Sequence, residues 1–233
     1  MLTHRVLTTV EELAQVERLE MEIWEVGPEE AVPVSMLQAV IDNGGLLLGA
    51  YHDERLIGFA FCFPAYKAGR LYLWSHMTGV HREYQRQAVG YTLKRMQREW
   101  ALANGYDAIA WTFDPMRRGN ANFNLNMLGA VARDYKPNVY GVIQEGINAG
   151  LPSDRLVAWW HLNGTDQIGL GSDEVRIEIP YNLTQLKRGG LSEALAWQGR
   201  VREAMQTAFA EGYIITTFVT DGQAERCWYV ARR

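Results

Sequence analysis

A polar loop between a predicted strand and a predicted helix holds the residues best suited to bind an anion. The loop reads HREYQRQAVG and contains Gln85, Arg86, Gln87, Ala88 and Gly90. Because the first N–H groups of a helix have no partner inside it, they attract anions such as phosphate. Ala88 and Gly90 lack bulk, so a phosphate can come close to the backbone. The side chains of Gln85, Arg86 and Gln87 add donors and one positive charge. The loop is therefore predicted to bind a phosphate group.

Two common nucleotide-binding patterns do not fit this loop. A loop that binds nucleoside triphosphates ends in a Lys-Ser or Lys-Thr pair, and no such pair follows here. A dinucleotide-binding loop carries glycines spaced as GxGxxG, and this loop does not have that spacing. The phosphate is therefore expected to belong to another kind of ligand.

The loop resembles the acetyl-CoA-binding motif of the GNAT acyltransferases, V-x-x-x-x-[QR]-x-x-[GA]-x-[GA]. Val80, Gln85, Ala88 and Gly90 match the motif in register. The resemblance implies that the loop amides bind the CoA pyrophosphate and that acetyl-CoA or another acyl-CoA is the co-substrate. The cofactor-binding residues expected on this basis are Thr78, Val80, Gln85, Arg86, Gln87, Ala88, Val89, Gly90 and Asn120.

The same resemblance identifies LYLWSHMTGV as the strand along which the thioester would bind. In GNAT proteins this fourth strand separates from the fifth, and its free backbone groups pair with the pantetheine arm and polarise the thioester carbonyl. Strand alternation predicts that Trp74, His76, Thr78 and Val80 share one face.

Two residues are alternatives for the base that acyl transfer to an ammonium requires. His76 lies four residues before Val80, the place of the catalytic histidine in arylalkylamine acetyltransferases, and imidazole titrates near neutral pH. A histidine bonded inside the sheet is the structural alternative. Asp114 ends the predicted strand YDAIAWTFD and is interpreted as a base, as an anchor for the substrate ammonium, or as a helix cap.

The family's usual acid is missing from the predicted fourth helix. Many GNAT proteins carry a tyrosine there in L-Y-x-x-x-G-F, but alignment on Gly129 places Leu125 at that position. Tyr135 and Tyr140 are possible substitutes, and the thiolate can also leave unprotonated, since thiol pKa values are near 8.5.

An asparagine-rich segment precedes that glycine. Asn120 and Asn124 are spaced i, i+4, so both amides of a helix would reach one ligand, and Asn124 is included among the catalytic residues. Capping of the helix start is the structural alternative.

The order of predicted elements indicates an α/β fold. It runs strand, two helices, three strands, helix, strand, helix and two strands over residues 5–162, which matches the GNAT order. Three antiparallel strands followed by a strand–helix–strand crossover predict a mixed central sheet flanked by helices. We therefore expect a GNAT core over residues 1–162.

The sequence changes character after His161. NGTDQIGLGSDE is a polar, glycine-rich linker, and VRIEIPYN, SEALAWQGRVREAMQTAFAEG and YIITTFVTDGQAERCWYVARR predict a strand, a helix and a hairpin. Residues 163–233 are therefore expected to form an extension packed on the core. Its hairpin should cover the acceptor side of the sheet or pair with a second copy of the chain, giving a homodimer. The extension resembles that of a mostly prokaryotic GNAT group, some of whose relatives acylate amino acids from succinyl-CoA.

Composition restricts the partners and the compartment. The 233 residues carry a net charge of −4, which argues against general nucleic-acid binding but not against a local basic pocket. Cys62 and Cys227 have no metal-ligand spacing and sit in apolar runs, so they are expected to be reduced, buried thiols in a cytoplasmic protein. No metal site is expected. The sequence shows no signal peptide and no apolar run of about 18 residues, so no membrane association is expected.

These observations predict a CoA-dependent N-acyltransferase acting on the amine of a small metabolite. Two alternatives remain open from the sequence. One is a non-catalytic acyl-CoA-binding protein with the GNAT fold, which the missing tyrosine favours. The other is an acetyltransferase acting on protein lysines.

Overall fold

The protein was analysed as a computed structural model that describes residues 1–142, 149–164 and 171–233. By contact clustering the chain divides into two compact units. The first unit contains residues 1–110, and the second contains the described residues from 111 onwards. The predicted separation of a core (1–162) from an extension (163–233) is a different division and stays a prediction.

The first unit contains five strands and three α-helices. They are β1 (Leu2–Val6), α1 (Val10–Trp24), α2 (Val34–Asp42), β2 (Leu46–His52), β3 (Arg55–Lys67), β4 (Arg70–Val80), a 3₁₀ turn (Arg82–Tyr84), α3 (Val89–Ala103) and β5 (Ala108–Phe113), whose last three residues belong to the second unit. The sheet order is β1-β2-β3-β4-β5. Neighbouring strands are antiparallel except for β4 and β5, which are parallel. The α/β fold with a mixed sheet is therefore confirmed.

Local sequence signals explain the start of this unit. Thr9 caps α1, because its side chain accepts from the Glu12 amide while Glu12 binds the Thr9 amide in return. The connection between β2 and β3 is the predicted tight hairpin, with His52 opposite Arg55 and Asp53 at a positive φ of 54°.

Helices lie on both faces of this sheet. A core of fully buried residues joins Leu13 and Val16 of α1 to Leu37 of α2 and to Phe59 and Phe61 of β3. The opposite face meets α3. A side chain in place of Gly58 on β3 would lie 3.1 Å from Val89 of α3, so this glycine permits close packing of the helix.

The second unit contains the end of β5 and all later elements. These are α4 (Arg118–Ala121), a π-helix (Asn122–Met127), β6 (Val131–Lys136), β7 (Arg155–His161), β8 (Glu174–Ile179), α5 (Leu183–Gly189), α6 (Leu191–Ala210), β9 (Ile214–Asp221) and β10 (Arg226–Arg232). The strand order is β7-β6-β9-β10-β8.

The C-terminal strand, helix and hairpin are present as predicted. Strand β9 pairs with β6 through Ala132 and Ile215, so the hairpin continues the sheet edge to edge. Helix α6 packs on β6 and β8. The hydrogen-bonding edge of β6 is thus covered by β9. That the hairpin covers the acceptor side of the sheet, or pairs with a second copy of the chain, stays a prediction. The short helix α5 was not predicted, and part of the predicted linker, residues 165–170, lies outside the described residues.

Two further predictions can be compared with the structure. Cys62 and Cys227 are both free and buried, as expected. Within the described parts of the chain, no helix has the length and apolar character needed to cross a membrane.

Candidate active site

The predicted phosphate loop joins β4 to α3 and has an unusual backbone. Arg86 and Ala88 adopt positive φ values of 70° and 59°, although neither is glycine. Such a conformation costs on the order of 1–3 kcal/mol at each residue and clusters at ligand sites. Left-handed residues at intervals turn successive N–H groups towards one concavity, which binds anions. The loop backbone therefore has the form of an anion site.

The start of α3 is open to a ligand. No side chain caps this end, and no acidic residue lies in its first turn. Gln85 to Ala88 are exposed, whereas Val89 is buried and anchors the helix. A side chain at Gly90 would meet only the Val80 side chain, at 3.5 Å. The absence of a side chain at Gly90 therefore leaves free the space beside the loop amides.

The glutamines of this loop have a different role from the one expected. Gln85 donates its side-chain amide to the Val80 carbonyl at 3.2 Å, and Gln87 donates to the Glu83 carbonyl at 3.3 Å. Both side chains therefore brace the loop, and the backbone N–H groups together with Arg86 are the main donors for an anion.

Strand β4 contains a β-bulge at His76. Phe61 of β3 pairs with Met77, and the next residue, Cys62, pairs with Ser75, so His76 has no residue opposite it. The pairing of β4 with β5 comprises Leu73 with Ile109 and Trp74 with Ala110. The bulge thus lies just beyond the last paired residue of β4, where strand separation would begin.

The bulge corrects the prediction that four alternating residues share a face. His76 contacts the rings of Phe61 and Phe63, which pack towards α1 and α2. Val80 pairs with Gly58, whose face meets α3, and Thr78 lies on that same face. One inserted residue reverses the alternation. Trp74 and His76 therefore lie on the face opposite Thr78 and Val80.

His76 has the protonation state that a base requires. Its imidazole lies 6.2 Å from the Phe61 ring and 5.8 Å from the Phe63 ring, measured between centroids, while the residue is exposed to solvent. Desolvation against these rings lowers the pKa of His76 below its usual value of 6.5. At neutral pH the ring is uncharged and can accept a proton.

A buried polar cluster behind the bulge was missed by the sequence analysis. Lys94 of α3 is 2% exposed and donates to Ser75 at 2.9 Å and to Gln97 at 2.8 Å. Burial lowers the pKa of Lys94 to about 7 and raises that of the Cys62 thiol to about 12. The only sequence signal was the i, i+3 spacing of Lys94 and Gln97 beside the apolar face of α3.

Asp114 lies in the second unit and is already engaged. One carboxylate oxygen accepts from the Met116 amide at 2.9 Å, and the other lies 3.3 Å from Arg117. The carboxylate closes a turn after β5, but Arg117 is the N-cap residue of α4, so the cap interpretation holds only for the turn. The Asp114 side chain is 21% exposed.

The two asparagines of the predicted pair lie in different surroundings. Asn120 is exposed, whereas Asn124 is 6% exposed and accepts a hydrogen bond from the Trp111 indole at 3.1 Å. The i, i+4 argument assumed an α-helix, but α4 ends at Ala121 and a π-helix follows, which changes the angle between the two side chains. Leu125, at the family's tyrosine position, is buried.

Neither proposed substitute for the acid is placed like one. Tyr135 donates to Asp154 at 2.6 Å, and burial together with that carboxylate raises its pKa well above the usual value. Its hydroxyl therefore keeps its proton in a structural hydrogen bond. Tyr140 is 57% exposed.

Comparisons with known proteins agree with this geometry. Residues 11–124 match the model of the Acetyltransferase (GNAT) family. The ribosomal-protein-S18-alanine N-acetyltransferase from Escherichia coli matches with a TM-score of 0.57 and 14% identity, over 72% of this chain and 98% of its own. An N-acetyltransferase from Staphylococcus aureus Mu50 has a TM-score of 0.54 and 15% identity, over 70% and 99% of the two chains.

A third structure contains a ligand. The paia N-acetyltransferase from Thermoplasma acidophilum in complex with coenzyme A matches with a TM-score of 0.51 and 15% identity, over 69% of this chain and 99% of its own. At these identities the likeness shows a shared fold. A search of curated proteins finds no match.

Proposed function

We propose that this chain, whose residues 11–124 match the GNAT acetyltransferase family model, is an acyl-CoA-dependent N-acyltransferase that transfers an acetyl or succinyl group to the amine of a small metabolite, such as an amino acid. The observation that carries this proposal is the loop between β4 and α3. Its motif residues from Val80 to Gly90 coincide with the two left-handed residues and with the open start of a helix. Both the sequence motif and the backbone geometry of the loop therefore support binding of acyl-CoA.

The loop residues fit the pyrophosphate of acyl-CoA. The N–H groups at the start of α3 are suited to a doubly charged group, and Arg86 supplies a counter-charge. Gly90 leaves the approach open. When bound, acyl-CoA supplies a thioester whose carbonyl is open to attack by an amine. The backbone of β4 after the bulge, with Thr78 and Val80, would bind the pantetheine arm.

His76 is the group proposed to receive the proton of the acceptor. Its pKa below 6.5 makes it uncharged at neutral pH, and it is exposed to solvent. Asp114, held by Met116 and Arg117, is better suited to bind the substrate ammonium than to exchange a proton. Holding both reactants in place would supply most of the rate enhancement.

The proposed acceptor class comes from the C-terminal elements. They resemble the extension of GNAT proteins whose relatives acylate amino acids, which supports a small amine. The free, buried Cys62 and Cys227 support a cytoplasmic setting. The E. coli neighbour is named for a protein alanine, so a protein acceptor is the rival within the same chemistry.

A non-catalytic acyl-CoA-binding protein is the second candidate, and one observation favours it. Leu125 replaces the family's usual acid and is buried, and the hydroxyl of Tyr135 is held by Asp154. An enzyme of this kind would release CoA as a thiolate without a protein acid. A protein that only binds acyl-CoA releases no thiolate and would need no acid.

A turnover screen separates these candidates. The protein would be incubated with acetyl-, succinyl- and longer acyl-CoAs against free amino acids, other small amines and lysine-containing peptides, with thiol release and acylated product both measured. Thiol release matched by acylation of a small amine supports the proposal. Product on peptides alone identifies a protein acetyltransferase, and binding of acyl-CoA without release identifies the non-catalytic protein.

A further inference from the structure

Lys94 carries an ionisable amine in a place where a charge is expensive. Only 2% of the residue is exposed, and it donates to Ser75 and Gln97, which are 3% and 0% exposed. Removing an ammonium from water costs several kcal/mol in proteins, and hydrophobic replacements of buried charges are often neutral or stabilising. The Lys94 amine is therefore buried and hydrogen-bonded to a residue of β4.

The hydrogen bond from Lys94 reaches the one point where β4 is irregular. Ser75 follows Trp74, the last β4 residue paired with β5, and directly precedes the bulged His76. Ser75 also lies opposite Cys62, so the cluster joins α3 to both β3 and β4. A one-residue insertion disrupts the ladder locally, and the backbone at such a point needs another constraint to keep one geometry.

Ser75 and His76 project from opposite faces of the sheet. Ser75 points towards α3, where Lys94 holds it, while His76 points towards the Phe61 and Phe63 rings. Fixing the Ser75 side chain therefore fixes the backbone from which the imidazole projects. The helix that provides Lys94 also provides the proposed phosphate site at its start.

We propose that Lys94 is a positioning residue that acts through Ser75 to hold the β4 bulge and thereby the imidazole of His76. An effect of Lys94 on catalysis rests on the proposed function. The structural coupling of Lys94 to His76 does not depend on that function. This coupling predicts that loss of either the Lys94 amine or the Ser75 hydroxyl changes the surroundings of His76. It also predicts that losing both groups changes those surroundings no more than losing one.

The test compares Lys94→Met, Ser75→Ala and the double variant with the wild-type protein by NMR titration of isotope-labelled histidines. Methionine has a similar length without charge, and Ser75→Ala leaves the lysine in place should Lys94→Met not fold. Arg95→Met is the matched control, because Arg95 lies next along α3 but is exposed and paired with Glu99. Ser75→Thr, which keeps the hydroxyl, serves as the rescue variant.

We expect the His76 signals to move in Lys94→Met and Ser75→Ala, with the pKa of His76 rising towards 6.5 as the ring leaves its aromatic contacts. The double variant should resemble the single ones, and Ser75→Thr should restore the wild-type signals. For an active enzyme, kcat should fall by about 10- to 100-fold with unchanged CoA affinity, as misplacement of a reacting group implies.

Unmoved His76 signals in folded Lys94→Met or Ser75→Ala would overturn the proposal. A protein that neither binds CoA nor turns over would instead refute the proposed function, and the NMR result would still test the coupling.

Discussion

The side chain of Asn126 binds the backbone of Phe218 in both directions. Its amide nitrogen donates to the Phe218 carbonyl at 2.7 Å, and its oxygen accepts from the Phe218 amide at 3.1 Å. The same oxygen also accepts from the Thr217 hydroxyl at 2.7 Å. The Asn126 side chain thus pairs with both backbone groups of Phe218, as a residue of a neighbouring strand would. These hydrogen bonds connect the π-helix to β9 of the C-terminal hairpin.

Replacing Asn126 should therefore destabilise the second unit. Asn126→Ala leaves the backbone polar groups of the buried Phe218 without their partner, which costs about 1–3 kcal/mol. Urea unfolding would measure this as a lower midpoint. Asn122→Ala is the control, because exposed Asn122 only accepts a bond from Asn126 at 3.0 Å. Equal stability of the two variants would show that the contact contributes nothing.

Removal of the C-terminal elements should have a larger effect. Truncation after Asn163 uncovers the edge of β6 and removes the buried residues Met205, Ile215 and Tyr229. An unpaired strand edge next to exposed apolar surface promotes aggregation. We expect an aggregated product by size-exclusion chromatography. A truncated protein that stays monomeric and retains wild-type turnover would contradict the role assigned to this hairpin.

Lys94 predicts an unusual dependence of stability on pH. Its folded-state pKa of about 7 lies below the usual 10.5, so above pH 7 the unfolded state binds a proton that the folded state lacks. The free energy of unfolding should therefore rise with pH from 7. The Cys62 thiol acts oppositely above pH 9, because its pKa is raised to about 12 and the folded state keeps a proton that the unfolded state loses. The rise should thus appear between pH 7 and 9.

Urea midpoints at pH 7, 8 and 9 would measure this rise. Lys94→Met should flatten it, whereas Arg95→Met should preserve it because Arg95 is exposed. A slope that is the same in wild type and Lys94→Met would show that Lys94 is not responsible.

The two proposed proton carriers should differ in their kinetic effects. His76→Gln should lower kcat/KM by roughly 10²–10⁴-fold and remove the rising limb of its pH profile, the effect of losing a general base. Because desolvation lowers the pKa of His76, that limb should lie below pH 6.5. Asp114→Asn should act mainly through KM for the amine.

Amines of different pKa provide the control for this experiment, since the free amine also titrates. A limb that follows the amine and persists in His76→Gln would remove His76 from its role. A larger kcat effect from Asp114→Asn would make Asp114 the base.

Features fixed by neighbouring residues were predictable from the sequence. The capping box of Thr9 and Glu12, the hairpin at Asp53 and the motif from Val80 to Gly90 each depend on a few consecutive residues. The resemblance to the GNAT family gave the expected order of the strands and helices that contain these features. Fold class and the position of the phosphate loop followed from them.

The details of the site were not predictable, because they depend on long-range pairing. Nothing in Ser75, His76 and Met77 marks an insertion, since the bulge exists only relative to β3. Lys94 looks like a surface lysine until the rotation of α3 against the sheet is known. The π-helix from Asn122 likewise breaks an α-helical spacing that the sequence alone supports.

Binding of CoA to the Gly90→Gln variant tests the central claim most directly. Among the described residues, a Cβ added at residue 90 meets only Val80 within 4 Å, at 3.5 Å, so the variant should fold while its side chain fills the phosphate position. Gly199→Gln on α6, where an added side chain meets nothing within 4 Å, is the matched control. In a thermal-shift titration, CoA at ~100 times its Kd should stabilise wild type and Gly199→Gln by about 2.7 kcal/mol and leave Gly90→Gln unchanged. Undiminished CoA affinity in a folded Gly90→Gln protein would contradict the assignment of this loop as the acyl-CoA site.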